Sequence, residues 1–246
     1  MNFDVSFFWQ YLFYGPIVDG AKLTVELAVL SQAAGIVLGL FAALGRLSRS
    51  HFPIWRWITG LYLWLFRGTP LLVQLGFVYF ALPELTNKAI KPNEFWSAII
   101  ALSLNEGAYM AEIVRAGITS VESGQIEAAE SLGMTRMLAM RRVIIPQAIR
   151  VIIPPTGNEF ISMLKNTSLA YFISTQEIFF QTDQLASATF RYFEPLTIVS
   201  LYYLAMTSVA TYAQGHLERY YGRGFSRDIR GPGVMQRAVV GAFRRG

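Results

Sequence analysis

The sequence predicts an all-α fold: an integral membrane protein of five transmembrane helices, with its N-terminus outside and its C-terminus in the cytoplasm. Three observations carry that expectation. Apolar residues make up 53% of the 246-residue chain and charged residues only 15%, well under the roughly 25% usual in soluble domains. The apolar residues gather into runs long enough to cross a hydrocarbon core, which takes about 20 residues of helix. The basic residues collect in alternate segments between those runs, which is the positive-inside pattern.

The elements follow in order. Residues 1–18 are rich in Phe, Tyr and Trp and hold no cation before Lys22. They lack the basic start of a cleaved signal peptide and read as an aromatic interfacial segment. The first span is expected over 20–44, where Gly35 and Gly39 stand in GxxxG register for close helix packing. The second covers 57–82 and is interrupted by Arg67-Gly68-Thr69-Pro70; the third covers 95–116, the fourth 150–173 and the fifth 195–216. Arg46, Arg49 and Arg56 follow span one; Arg115, Arg136, Arg141, Arg142 and Arg150 separate spans three and four; seven arginines from Arg219 to Arg245 follow span five. The remaining connections hold only Lys88, Lys91 and Arg191, diluted by acidic residues. An odd number of spans and the charge bias agree on the orientation. The organisation is therefore an interfacial segment (1–18), a transmembrane domain (19–221) containing a cytoplasmic segment at 119–147, and a basic tail (222–246) suited to anionic lipid.

Several classes of chemistry drop out. The chain has no cysteine, which removes disulfides and thiolate metal sites together. The net charge of +5 lies between apolar runs, so it reports membrane topology rather than nucleic-acid binding. No lysine follows a glycine, so there is no phosphate-binding GK[ST] loop, and HExxH and GxSxG are missing as well. The only histidines, His51 and His216, lie far apart in sequence. No catalytic residue, metal site or resident cofactor is expected.

The stretch IEAAESLGMTRMLAMRRVIIP at 126–146 is a compact charged interruption between spans three and four. Ser123 is the expected N-cap of a short helix through Leu132, and Gly133 its left-handed terminator. Ile126, Ala129 and Leu132 share one face at helical spacing. Thr135 is placed to cap a second helix, whose backbone ladder Pro146 disturbs. The product is a rigid elbow with a small apolar face expected to point outward, suited to a groove on another protein.

This segment also carries a family resemblance. EAA at 127–129, Gly133 four positions later and VIIP at 143–146 resemble the EAA motif of permease subunits in ATP-binding-cassette importers, with Val143 and Ile145 as aliphatic departures from its I-x-L-P ending. FRGTPLLVQL at 66–75, AYMAEIVRAGI at 108–118, IPQAIR at 145–150 and NEFISMLKNTSLAYFIS at 158–174 resemble the polar amino-acid branch of that family. The likeness spans residues 20–220. It implies the type I importer permease fold and a bacterial inner-membrane location. It also implies that the elbow, with Glu127, Ala128, Ala129, Gly133 and Pro146, docks on a cytoplasmic ATPase subunit that holds ATP and Mg²⁺. Further implied partners are an identical or homologous permease subunit, an extracytoplasmic amino-acid-binding protein and membrane lipid.

Ionisable groups inside spans cost about 2.5–3.5 kcal/mol each at a helix centre on insertion scales, so they face a cavity or a partner. Arg67 lies inside span two or at a break between two half-helices, and either pairs with an acid or cradles a substrate carboxylate; Thr69 and Gln74 accompany it. In span three, Asn105, Tyr109 and Glu112 form a polar stripe, Glu112 is expected to pair with Arg115 or neighbours, and Glu106 is the cavity candidate. In span four, Asn158, Ser162 and Lys165 share a face with Glu159 adjoining, and that face is expected to line the bundle interior. Two readings stay open: Glu159 with Arg67 or Lys165 holds a zwitterion, or the set is a buried polar network. The overall expectation is ATP-driven uptake of a polar, possibly basic, amino acid. Its rivals are a permease of the same machinery for another solute, an ATP-independent secondary transporter, and a membrane enzyme.

Overall fold

A computed structural model describes residues 3–47 and 54–222. Arg49, His51 and the tail 223–246 lie outside the described residues. Among the described residues all regular structure is helical.

The chain opens with α1, Val5–Leu12, whose first turn is capped by Asp4 accepting a 3.0 Å hydrogen bond from Phe7 N. Helix α2, Gly15–Leu47, has 33 residues, about 50 Å at 1.5 Å per residue, enough to cross a bilayer and protrude. It lies against α6, Glu94–Thr119, in the most extensive helix pair of the molecule. The expected GxxxG contact is made here. A Cβ added at Gly35 would stand 2.5 Å from Glu106 Cγ, and one at Gly39 would stand 2.5 Å from Met110 Cβ and 2.9 Å from Ala111 N. Only a bare backbone lets the two helices come this close.

Span two is broken. Helix α3, Ile54–Gly68, and the stretch Leu71–Leu85 meet at 109°. That second half consists of α4, Leu71–Gly76, a π-helical turn at Phe77–Ala81, and α5, Leu82–Leu85. Arg67 therefore stands at a break between two half-helices, one of the two placements expected for it. Two short helices follow α6 on its far side: α7, Ser123–Ser131, and α8, Arg136–Ala139. A π-helical turn at Met140–Ile144 leads into α9, Ile145–Asn166, and a 3₁₀ stretch, Thr167–Ile173.

Helix α10, Ile178–Thr189, was not foreseen as an element. It is seated on α2 so tightly that a Cβ at Gly20 would stand 2.9 Å from Ile178 Cα. Its cap, Glu177, is fully buried and takes hydrogen bonds from Phe179 N, Phe180 N and Tyr203 Oη at 2.9, 2.8 and 2.9 Å. One carboxylate thereby joins α10 to α11, Phe193–Gly222. Asp4 and Glu194 share Arg191, at 2.9 and 3.6 Å, which ties α1 to the start of α11.

Among the described residues α2 and α11 are both long and apolar enough to cross a membrane, and the bent pair adds a third if it is one span. Helices α6 and α9, with 26 and 22 residues, have the length but carry several charged residues.

Candidate functional site

The elbow is built from local signals. Its first helix starts one residue earlier than expected: Glu122, not Ser123, is the N-cap, and its side chain makes no capping bond. The other end is as expected. Gly133 has φ +75°, Gly133 N donates to Glu130 O at 2.9 Å, and Met134 N donates to Ala129 O at 3.1 Å. These paired bonds are a Schellman stop, which needs the left-handed residue that glycine supplies at no steric cost. Thr135 Oγ1 then accepts from Leu138 N at 3.4 Å and starts α8.

From α8 the chain does not break again. In the π-helical turn Ile145 N reaches back to Met140 O, and this wider register takes up the place where Pro146 has no N–H to donate. Because α8, the turn and α9 are continuous, a push on the elbow reaches α9 without an intervening loop.

Of the three residues expected on the outward apolar face of α7, Ile126 and Ala129 turn inward and Leu132 projects. Ala129 is 3% exposed and Ile126 is half-buried. Ile126 lines a cavity of about 540 Å³ together with Ala139, Met140 and Ile144, and Leu47, Glu127, Glu130 and Arg136 line it too. Two short helices hold together only by burying that face between them. What projects instead is the tip, Leu132 and Met137, each 78% exposed. Of the expected docking residues, Glu127, Ala128, Gly133 and Pro146 are exposed and Ala129 is internal.

The break in span two is sewn shut by side chains. Gln74, buried, donates through Nε2 to Phe66 O at 2.9 Å, Thr69 O at 3.1 Å and Thr69 Oγ1 at 2.9 Å. Asn105 Nδ2 donates to Phe66 O and to Gln74 Oε1, both at 3.0 Å. Carbonyls at the end of α3 would otherwise go unpaired where water is scarce. Gln74 and Thr69 are thus engaged within the chain. Arg67 lies 3.7 Å from Glu112 and its Cζ is 5.6 Å from the Tyr109 ring centroid. Glu112 also binds Arg46 and, at 2.7 Å, Arg115. The structure gives Arg67 the acidic partner that was one of its two expected roles.

The polar face of α9 was expected to line the interior of the bundle; in the single chain Asn158 and Lys165 are exposed and Glu159 and Ser162 half-buried. Helix α11 reaches this face at Asn158, whose Oδ1 accepts from Gln214 Nε2 at 3.1 Å. Among the described residues Lys165 and Glu159 make no ion pair, so Glu159 joins neither Arg67 nor Lys165. Glu106 is buried at the α2–α6 crossing, where its Oε1 accepts from Gln32 Nε2 at 2.9 Å.

Sequence reasoning passed over Gln32, Glu177 and Gln214. A signal existed for Gln32: positions 32, 35 and 39 fall on one helical face, so a residue there meets α6 wherever the glycines do. For Glu177 the signal was weak, since an acid before a short apolar run also reads as a loop charge.

Comparison with known proteins places these features together. The family described as binding-protein-dependent transport system inner membrane component matches residues 35–222. The chain is 41% identical over 231 residues to the arginine transport system permease protein ArgU of Corynebacterium glutamicum, covering 89% of this chain and 72% of that one. It is 36% identical over 221 residues to the glutamine transport system permease protein GlnP of Escherichia coli K12, covering 89% and 98%. A solved amino acid ABC transporter, crystallised with histidines, superimposes with a TM-score of 0.82 at 39% identity, covering 89% of this chain and all of that one.

Proposed function

Because the chain belongs to the family of inner membrane components of binding-protein-dependent transport systems, we propose that it is the permease subunit of an ATP-driven importer for polar, including basic, amino acids. The relatives named for arginine and glutamine transport support the solute class. A separate ATPase subunit binds ATP and Mg²⁺ and closes on the elbow, and an extracytoplasmic binding protein delivers the solute. Five membrane crossings, with the N-terminus outside and the elbow in the cytoplasm, follow from the arginine bias of the sequence. The transmembrane domain covers 19–221, flanked by the interfacial segment 1–18 and the lipid-facing tail 222–246. A second permease copy covers the exposed face of α9, so that Asn158, Glu159, Ser162 and Lys165 border a shared pathway.

The observation that carries the mechanism is the unbroken run from Thr135 through the π-helical turn into α9. Displacement of a Gly133-terminated helix at one end becomes tilt of a polar-faced helix at the other. Gly133→Asp tests it. Nothing lies within 4 Å of a Cβ there, so the change burdens the left-handed backbone and places a charge at the tip without a clash inside the chain. The expected result is loss of amino-acid uptake in proteoliposomes, with the permease still folded and co-purifying with the ATPase. Undiminished uptake would defeat the coupling reading.

A further inference from the structure

The cation balance at the joint of α2 and α3 does not close. No Asp or Glu occurs anywhere between Glu26 and Glu84, so Arg46, Arg56 and Arg67 must find counter-charge outside their own segment. Within the described residues Arg46, Arg67 and Arg115 share the single carboxylate of Glu112, and the three guanidinium side chains remain 42%, 44% and 38% exposed.

Beside this cluster lies a cavity of about 580 Å³ lined by Arg46, Arg56, Trp57, Gly60, Leu61 and Trp64. Its composition is ordered along α3. Arg56 and Trp57 stand in the first turn, and Leu61 and Trp64 one and two turns further on. Trp57, Leu61 and Trp64 are 76%, 63% and 73% exposed. Gly60 forms the floor, for a Cβ there would meet nothing within 4 Å. Cations at the mouth, indoles beside them and an open apolar trench beyond match the sequence of groups in a phospholipid: charged head, glycerol interface, acyl chain.

We propose that this cavity is a binding site for an anionic phospholipid, its phosphate held between Arg46 and Arg56 and one acyl chain lying along Gly60, Leu61 and Trp64. A soluble anion would use the arginines and leave the trench without purpose. A zwitterionic lipid would fill the trench and leave the positive charge unbalanced. Because Arg46 also binds Glu112, the lipid is seated against the ion cluster that joins α2, α3 and α6.

The test uses the assembled permease in nanodiscs of phosphatidylcholine doped with brominated phosphatidylglycerol or, in parallel, brominated phosphatidylcholine. Tryptophan emission should be quenched more by the brominated phosphatidylglycerol, and the excess should vanish in a Trp57→Phe/Trp64→Phe variant. Arg56→Gln, at an exposed position, should lower the preference for the anionic lipid about fivefold, the weight of one cation near a charged bilayer surface. Gly60→Leu should remove the excess while both arginines stay in place. Equal quenching by the two lipids in the unaltered protein would overturn the proposal, as would an excess that survives both Arg56→Gln and Gly60→Leu. Full competition by millimolar inorganic phosphate would overturn it too, since a site filled by phosphate alone does not need the trench.

Discussion

Helices α6 and α9 each carry a polar stripe and dispose of it in different ways. On α6, Asn105 is bonded to Phe66 O and Gln74, Glu106 to Gln32, and Glu112 to three arginines, all inside one chain. On α9, Lys165 is exposed and Glu159 has no cation beside it among the described residues, while Asn158, also exposed, is bonded to Gln214 of α11. A polar group in a membrane protein whose partners lie in its own chain serves architecture. One whose partners are missing from the chain is placed for another molecule, because leaving it against lipid costs several kcal/mol. The same sequence feature, a polar stripe on an apolar helix, therefore means two different things, and only its neighbours tell which.

Three substitutions would break or sharpen this contrast. The largest effect on stability is expected from Gly39→Leu. The side chain would run into Met110 Cβ and the Ala111 backbone, which cannot swing aside, so a loss of about 3 kcal/mol is expected, read as a collapse of the folded yield in detergent. Next comes Glu112→Gln, which leaves Arg46, Arg67 and Arg115 without their shared anion. The arginines are about two-fifths exposed, so the loss should fall below that of a fully buried pair, at about 2 kcal/mol, measured as a lower melting temperature that high salt partly restores. The smallest effect on stability belongs to Lys165→Ala, within about 0.5 kcal/mol because the residue is exposed, while uptake should fall about tenfold, the worth of one charge-assisted bond. If Lys165→Ala instead unfolded the protein with uptake intact per folded molecule, α9 would be architecture as well and the contrast would fail.

Much of this was legible in the chain as written. The GxxxG pair did bring α2 onto α6, Gly133 did stop α7 with a left-handed turn, Thr135 did cap α8, and Arg67 did mark a break. Each rests on residues a few positions apart, or on a single residue with one conformational demand. The direction of Ile126 and Ala129 on α7 was misjudged for the opposite reason. Helical spacing places Ile126 and Ala129 on a common side, but spacing has no information on whether α8 or solvent lies opposite. Gln74 likewise read as a pathway residue because nothing local says that its amide would be consumed by Phe66 and Thr69 across the break.

What the amino-acid sequence determined by itself was the helical, membrane-embedded class, the break at Arg67, the stop at Gly133, and the excess of cations over acids between Glu26 and Glu84. Those follow from hydropathy, backbone preference and charge count, which are properties of short segments. What only the tertiary structure decided was the pairing: which carboxylate serves three arginines, which glutamine closes a broken span, which polar face is left uncovered. Pairing is set by distance in space between residues up to 190 positions apart, as Asp4 and Glu194 are, and no reading along the chain measures that distance.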